Sequence, residues 1–298
     1  MIVAVIRAKE TLVDTFSHED EVERQFWNWR PWVKSDVVPS FGNCVIPIYK
    51  YKGSTLFSER TGFLLQIANR YFLLTASHDL QDFLANGFRP MTSPNIPNDP
   101  PVGFGISAVF GTNVDDPTSA DVGIFELTEE SADYFTSGWR RFLRLTELSF
   151  TDSLDRAFHL LIGYPTPDVK IVGDIDGVPQ TIAQRYWYIT NDYPHDPKNL
   201  EPHDPLQQFE LEYGRISVDE EGEESSSIHL GGMSGCPVFR ISPCNPLTKN
   251  LAYIRCVGIQ CAFKRNKYIK GTYINHAVDM IYDKYTDLRA AINLTRTP

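Results

Sequence analysis

Short apolar runs separated by turn residues dominate the hydrophobic pattern, and helical spacing is scarce through the middle of the chain. The runs are CVIPIYKY (44–51), TGFLLQIA (61–68), YFLLTAS (71–77), VGIFEL (122–127), FHLLIGY (158–164), RYWYIT (185–190), CPVFRI (236–241), IRCVGIQCAF (254–263) and GTYINHA (271–277). Each has strand length, with Gly, Pro, Asn or Asp between them, which predicts an all-β chain built as a sandwich or barrel. From Ala277 the pattern changes: Val278, Ile281, Tyr282, Tyr285, Leu288, Ala291 and Ile292 fall near helical spacing and predict a terminal amphipathic helix. Residues 129–150 read as a partly helical connector between two β-rich halves of similar size. Near the start, Trp27, Trp29 and Trp32 are too much aromatic surface to leave in water and predict an arm packed on the rest. The expected division is an arm over 1–39, a first half over 40–135, a connector over 136–150, a second half over 151–276 and a helical tail over 277–298.

Composition narrows the class. A chain of 298 residues can bury a substantial core, and 42% hydrophobic with 22% charged residues is ordinary for a globular protein. No stretch approaches the length of a membrane-spanning helix. MIVAVIRAKE lacks a basic start and a small-residue cleavage site, so it reads as a first strand and not as a secretion signal. Five cysteines, an odd number without C-x-x-C spacing, point to free thiols in a reducing, cytoplasmic compartment. The net charge of −10 argues against nucleic acid as a partner, and KRNK (264–267) is too short to form a basic stripe.

The densest candidate chemistry lies in HLGGMSGCPVF (229–239), where three glycines and a proline crowd the hydroxyl of Ser234. Glycine serves where backbone takes unusual dihedrals or closely approaches another group. A serine hydroxyl is a poor nucleophile at neutral pH and needs a base, usually a histidine held by a third group. Of seven histidines, His78 closes the apolar run YFLLTASH, so its ring emerges at a strand end. Asp121 stands immediately ahead of VGIFEL, where a carboxylate is aimed at a neighbour and partly withheld from water.

These segments resemble the trypsin and chymotrypsin-like serine peptidases. LLTASH is similar to their L-T-A-A-H segment, ADVGIFEL to D-I-A-L-x-x-L, and GGMSGCPVF to G-D-S-G-G-P. CVGIQCAF resembles the following G-I-V-S-W-G strand, GTYINHA the later G-V-Y-x-x-V strand, and LLIGYP the V-x-G-W-G turn. The order His, Asp, Ser is the family's, and the likeness covers most of residues 40–290. It implies two six-stranded Greek-key β-barrels of the chymotrypsin type followed by a C-terminal helix. It also implies a serine endopeptidase that needs no cofactor, with His78, Asp121 and Ser234 as the catalytic triad and the amides of Gly232 and Ser234 as the oxyanion hole. A polypeptide substrate would pair with Cys261, Ala262 and Phe263, above a pocket walled in part by Ile228, His229 and Gln260. Ile228 stands where members that cleave after Arg or Lys keep an aspartate, so that preference loses its main support.

Three departures bear on mechanism. Asp79 follows His78 where the family keeps a cysteine, which agrees with an intracellular setting. Met233 stands where the family's zymogens keep an aspartate for a newly cut N-terminus, so activation by that route is not expected. A polar insertion over 191–227 carries an acidic run from Asp219 to Glu224 and a His-Asp-Pro repeat at His195 and His203; the proline-rich setting does not imply a metal site. Cys236 and His159 read as buried residues, and His276 as the end of the last strand or the start of the helix. An uncontrolled intracellular peptidase is hazardous, so gating by a protein partner or by a loop is expected. The alternative from another class is a catalytically silent binding or sensor module on a peptidase fold, against which the intact His78, Asp121 and Ser234 set counts. No membrane partner is expected.

Overall fold

Strands such as RYFLLT carry unbroken apolar runs because both of their faces are buried. Successive side chains point to opposite faces, and here the two faces meet different cores: Phe63, Leu65, Phe72, Leu74 and Ile124 join one cluster, while Leu64, Leu73 and Phe125 join another. A computed structural model describes residues 3–4, 29–52, 55–78, 80, 91–92, 102–112, 119–150, 158–166, 169–175, 178–183, 185–190, 204–214, 216–218, 224–226, 229–241, 250–264 and 267–296. Among them the chain is predominantly β, with two large sheets, one closing partway round as a half-barrel, and a C-terminal helix.

The first sheet contains β1 (Val45–Lys52), β2 (Thr55–Ile67), β3 (Arg70–Thr75), β4 (Met91–Thr92), β5 (Val102–Gly103), β6 (Ile106–Gly111) and β7 (Gly123–Leu127), in the order β5-β4-β1-β2-β3-β7-β6. A further strand, β8 (Leu143–Arg144), pairs in parallel with β2. The sheet thus has eight strands where six were expected; β4, β5 and β8 are two-residue pairings that carry no apolar alternation of their own. Between β7 and β8 lies helix α1 (Glu129–Ser137), whose cap Thr128 accepts a hydrogen bond from the Ser131 amide. It lies within 129–150, the stretch read as partly helical, and only its last two residues reach the connector expected over 136–150.

The second sheet contains β9 (Phe158–Gly163), β10 (Tyr186–Thr190), β11 (Gln208–Glu212), β12 (Pro237–Ile241), β13 (Ile254–Lys264) and β14 (Tyr268–Tyr273), ordered β10-β9-β12-β13-β14-β11. Its strands also divide their residues: Leu160, Ile162, Phe239 and Ile259 enter the cluster shared with the first sheet, whereas Leu161, Val238 and Val257 enter a core of the second half alone. A hairpin (Val169–Ile175 with Val178–Ala183) and a small sheet joining Val3–Ala4, Ile216–Val218 and Glu224–Ser226 complete the described strands. The first-strand reading of the N-terminus thus meets a short pairing at Val3 and Ala4.

Helix α2 (Ile274–Lys284) begins three residues before the predicted Ala277, and α3 (Arg289–Arg296) follows. The apparent strand GTYINHA therefore ends at Tyr273, because Ile274, Ala277, Val278 and Ile281 form one buried helical face. Of the aromatic arm, Trp29 and Trp32 meet edge to face at 5.3 Å and join the shared core, as do Val33, Val37 and Phe41 of the helical stretch over 29–42. Trp27 lies outside the described residues, which within the arm are 3–4 and 29–39. No described helix is long and apolar enough to cross a membrane.

Candidate active site

The shared core brings the C-terminal end of β3, the entry to β7 and the loop before β12 to one place. His78 follows β3 by three residues, where the apolar run ends and a polar ring can leave the core. Asp121 precedes β7, and its amide donates to the buried Thr272 hydroxyl of β14 at 3.0 Å. The two halves are therefore tied at the aspartate itself.

The imidazole stands between the other two side chains. The Nδ1–H of His78 donates to Asp121 Oδ2 at 2.7 Å, and Ser234 Oγ lies 3.3 Å from Nε2. The other carboxylate oxygen, Oδ1, accepts from the amides of Ser77 at 2.5 Å and His78 at 3.0 Å. Burial pushes the Asp121 pKa up, but the hydrogen bond and charge of His78 together with the Ser77 amide outweigh it, and the carboxyl titrates below its ordinary value. An ionised Asp121 oriented this way selects the Nδ1–H tautomer and leaves a lone pair on Nε2. A guanidinium also reaches that nitrogen: Arg60 Nη1 of β2 lies 2.7 Å from Nε2.

The glycines around Ser234 have separate reasons. Gly232 (φ +88°) and Gly235 (φ +87°) hold left-handed backbone that a Cβ would strain. At Gly235 an added Cβ would also lie 2.1 Å from the Thr61 carbonyl oxygen, so the loop presses directly on β2. Thr61 fastens the contact from below: its amide donates to Ser234 O at 3.0 Å and its hydroxyl to Gly232 O at 2.9 Å.

Two further bonds orient the loop's peptide groups. The Thr166 amide donates to Gly231 O at 2.7 Å, and the Cys236 amide to Met233 O at 2.8 Å. In a trans peptide the N–H points opposite its carbonyl. The Gly232 and Ser234 N–H groups are thus turned away from Thr166 and Cys236, and among the described residues neither donates to another group. Met233 is fully buried among Leu161, Tyr188, Leu230 and Cys236, so apolar packing anchors the residue between these two amides.

The remaining predicted residues fall around this centre. Cys261 O lies 3.4 Å from Ser234 Oγ, and burial with the nearby Asp121 charge pushes the Cys261 thiol up to about 12. β12 pairs with β13 only as far as Ile259, so beyond it the described strands pair with β13 through β14 alone. Ala262 is exposed there, and Phe263 meets His229 edge to face at 5.2 Å. His229 Nδ1 accepts from the Gly231 amide at 3.1 Å. Gln260 is buried, with its side-chain amide donating to Ala262 O at 3.0 Å. Ile228 lies outside the described residues, as do Asp79, His195, His203, Cys244 and the acidic run from Asp219 to Glu223. In the core of the second half the Phe209 ring packs on Gly258 and Gly271, 2.4 Å from where a Cβ added to either would stand.

Cys236 is buried and its thiol is pushed well up by desolvation, which keeps it protonated. The four described cysteines, Cys44, Cys236, Cys256 and Cys261, are all free. Among the described residues no group of three or more His, Cys, Asp and Glu could hold a metal. Sequence reasoning passed over Arg60, Thr61, Thr166 and Thr272. The one visible signal was the polar pair Arg60-Thr61 directly ahead of the apolar run GFLLQI. Compared with protein-family models and with curated proteins, the chain matches none.

Proposed function

We propose that the chain is a serine endopeptidase of the chymotrypsin type, with two Greek-key barrels and its active site in the groove between them. One observation carries this reading: the His78 ring reaches Asp121 through Nδ1 at 2.7 Å and Ser234 through Nε2 at 3.3 Å. That is the arrangement in which a serine becomes a nucleophile.

In the proposed mechanism His78 Nε2 takes the Ser234 proton as Oγ adds to the substrate carbonyl carbon. The resulting oxyanion is held by the Gly232 and Ser234 amides, whose carbonyl partners are fixed by Thr166 and Cys236. The intermediate collapses by breaking the C–N bond, and Nε2–H delivers its proton to the leaving amine. Water then repeats the sequence on the acyl-serine, with His78 as base and the serine oxygen as leaving group. Asp121 stays ionised and stabilises the imidazolium formed at each stage.

Among the described strands none pairs with β13 opposite β14 at Cys261, Ala262 and Phe263, and that edge suits an extended peptide on the acyl side, added as a further strand. A cytoplasmic setting and control by a protein partner belong to the same proposal.

The test is covalent labelling by a serine-directed fluorophosphonate, read by intact mass and peptide mapping. One adduct on Ser234, abolished in Ser234→Ala and in His78→Ala, is expected. No adduct on a folded protein sinks the reading.

A further inference from the structure

The Nε2 lone pair of His78 is claimed twice. Ser234 Oγ stands 3.3 Å away, but Arg60 Nη1 stands nearer, at 2.7 Å. A guanidinium has only donors and stays charged at any physiological pH, so at Nε2 the imidazole must accept. The serine hydroxyl is meanwhile within 3.4 Å of the Cys261 carbonyl, a second acceptor to which it can donate. In this arrangement the base carries the correct tautomer, yet its lone pair is engaged by a cation. Uptake of the serine proton requires Arg60 to move to another acceptor.

The position of Arg60 says what that acceptor is. It lies on β2, opposite Ile48, on the first-half side of the imidazole, next to Thr61, whose amide holds Ser234 O. The acyl side of a substrate is expected along β13, in the second half. The leaving amine must come within hydrogen-bond reach of Nε2 to receive its proton. A group already at that distance from Nε2 adjoins the first residues beyond the cut. A carboxylate there offers the planar, charged acceptor that a guanidinium prefers to a neutral ring nitrogen.

We infer that Arg60 is a specificity-determining residue: it selects substrates with Asp or Glu in the first two positions after the cleaved bond, and pairing with that carboxylate releases His78 Nε2 to Ser234. Without an acidic substrate, the guanidinium holds the base. The inference rests on the peptidase reading of the same site and adds to it a substrate class and a gate made from one side chain.

The test exposes the full-length protein to a library of peptides of random sequence and reads cut sites by mass spectrometry. Fluorophosphonate labelling of Ser234 runs in parallel. The wild-type protein should favour Asp or Glu over Asn or Gln just after the cut by roughly 10- to 100-fold, the range one charge-assisted hydrogen bond carries. Raising the ionic strength should shrink that preference. Arg60→Gln should abolish it, and Arg60→Glu should turn it toward Lys and Arg. Arg60→Gln should also label faster with a small uncharged fluorophosphonate, because Nε2 is no longer engaged. Labelling and cleavage by the wild-type protein without acidic enrichment overturn the inference and leave the peptidase reading standing. Enrichment that survives in labelled Arg60→Gln and Arg60→Glu overturns it equally, and slower labelling of a folded Arg60→Gln overturns the gate. Absence of both labelling and cleavage removes the peptidase reading and this inference together.

Discussion

The hydroxyl of Thr61 donates to the carbonyl oxygen of Gly232 at 2.9 Å, joining a strand of the first sheet to the serine loop of the second half across 171 residues of chain. The Thr61 hydroxyl oxygen itself accepts from the Tyr164 amide at 2.9 Å, so one buried side chain completes two backbone groups. Thr61→Val keeps the shape and removes both bonds. Leaving two buried groups without their partner should cost about 1–3 kcal/mol of stability, measured by urea unfolding. Fluorophosphonate labelling should slow by about tenfold, equivalent to one hydrogen bond, because Gly232 is no longer held from below. Thr61→Ser should restore both.

His159 lies wholly inside β9, and its burial, with the charge of Arg240 beside it, lowers the imidazole to about 3 from an ordinary 6.5. The folded-state value lies below the unfolded one, so the unfolded chain binds the extra proton between them. The contribution is therefore complete above pH 6.5 and drains as pH falls from there toward 3. Its upper limit is about 4–5 kcal/mol. Urea midpoints at about pH 7 and about pH 4.5 should diverge for the wild-type protein, as linkage requires. In His159→Leu that part of the divergence should vanish, whatever the variant's absolute stability. An unchanged slope would show that other groups set the acid limb.

The C-terminal helices are latched to the first sheet through Arg70. Its guanidinium donates to Glu126 at 2.5 Å and to Asp287 at 3.0 Å, and stacks 4.5 Å over the Tyr285 ring. Tyr285 in turn donates to the other Glu126 oxygen at 2.9 Å. Because Glu126 is nearly buried while Arg70 is a third exposed, Arg70→Ala should cost about 1–3 kcal/mol, below the figure for a fully buried pair. Arg70→Ala combined with Glu126→Gln should cost less than the two changes added, since the carboxylate left behind is the larger penalty. Thermal unfolding of the four proteins in the cycle measures the coupling.

What could be read before any coordinates follows from where the chemistry sits. His78 and Asp121 flank strong apolar runs, and Ser234 sits among glycines, so the strand ends that carry them are visible as breaks in the pattern. Their meeting is not visible, because it depends on how two sheets share one core. Arg60 and Thr61 lie within a strand, where a polar pair ahead of GFLLQI does not say what it meets; the contact of Arg60 with His78 and the pressing of Gly235 on the Thr61 carbonyl supply that. The helix start at Ile274 was hidden because YIKGTY runs directly into it without a capping residue. The eight-strand count of the first sheet was hidden for a different reason: two-residue pairings have no period to detect.

Asp121 offers the sharpest separation between a charge that orients and a group that merely fills space. In Asp121→Asn the Oδ1 position can still accept from the Ser77 and His78 amides, so the local backbone keeps its partners. The amide nitrogen facing Nδ1 is a donor, however, and forces the imidazole proton onto Nε2, the wrong tautomer for a base. Labelling of Ser234 should fall by about 10⁴ while the fold persists. A pH series adds a second readout. The Asp121 pKa is lowered on folding, so its contribution to stability is complete above the ordinary carboxylate range and lost as pH falls through the depressed value. The wild-type protein should lose that increment in acid and the asparagine variant should not. Full labelling in a folded Asp121→Asn protein would mean that His78 does not act on Ser234 through the tautomer that the carboxylate selects.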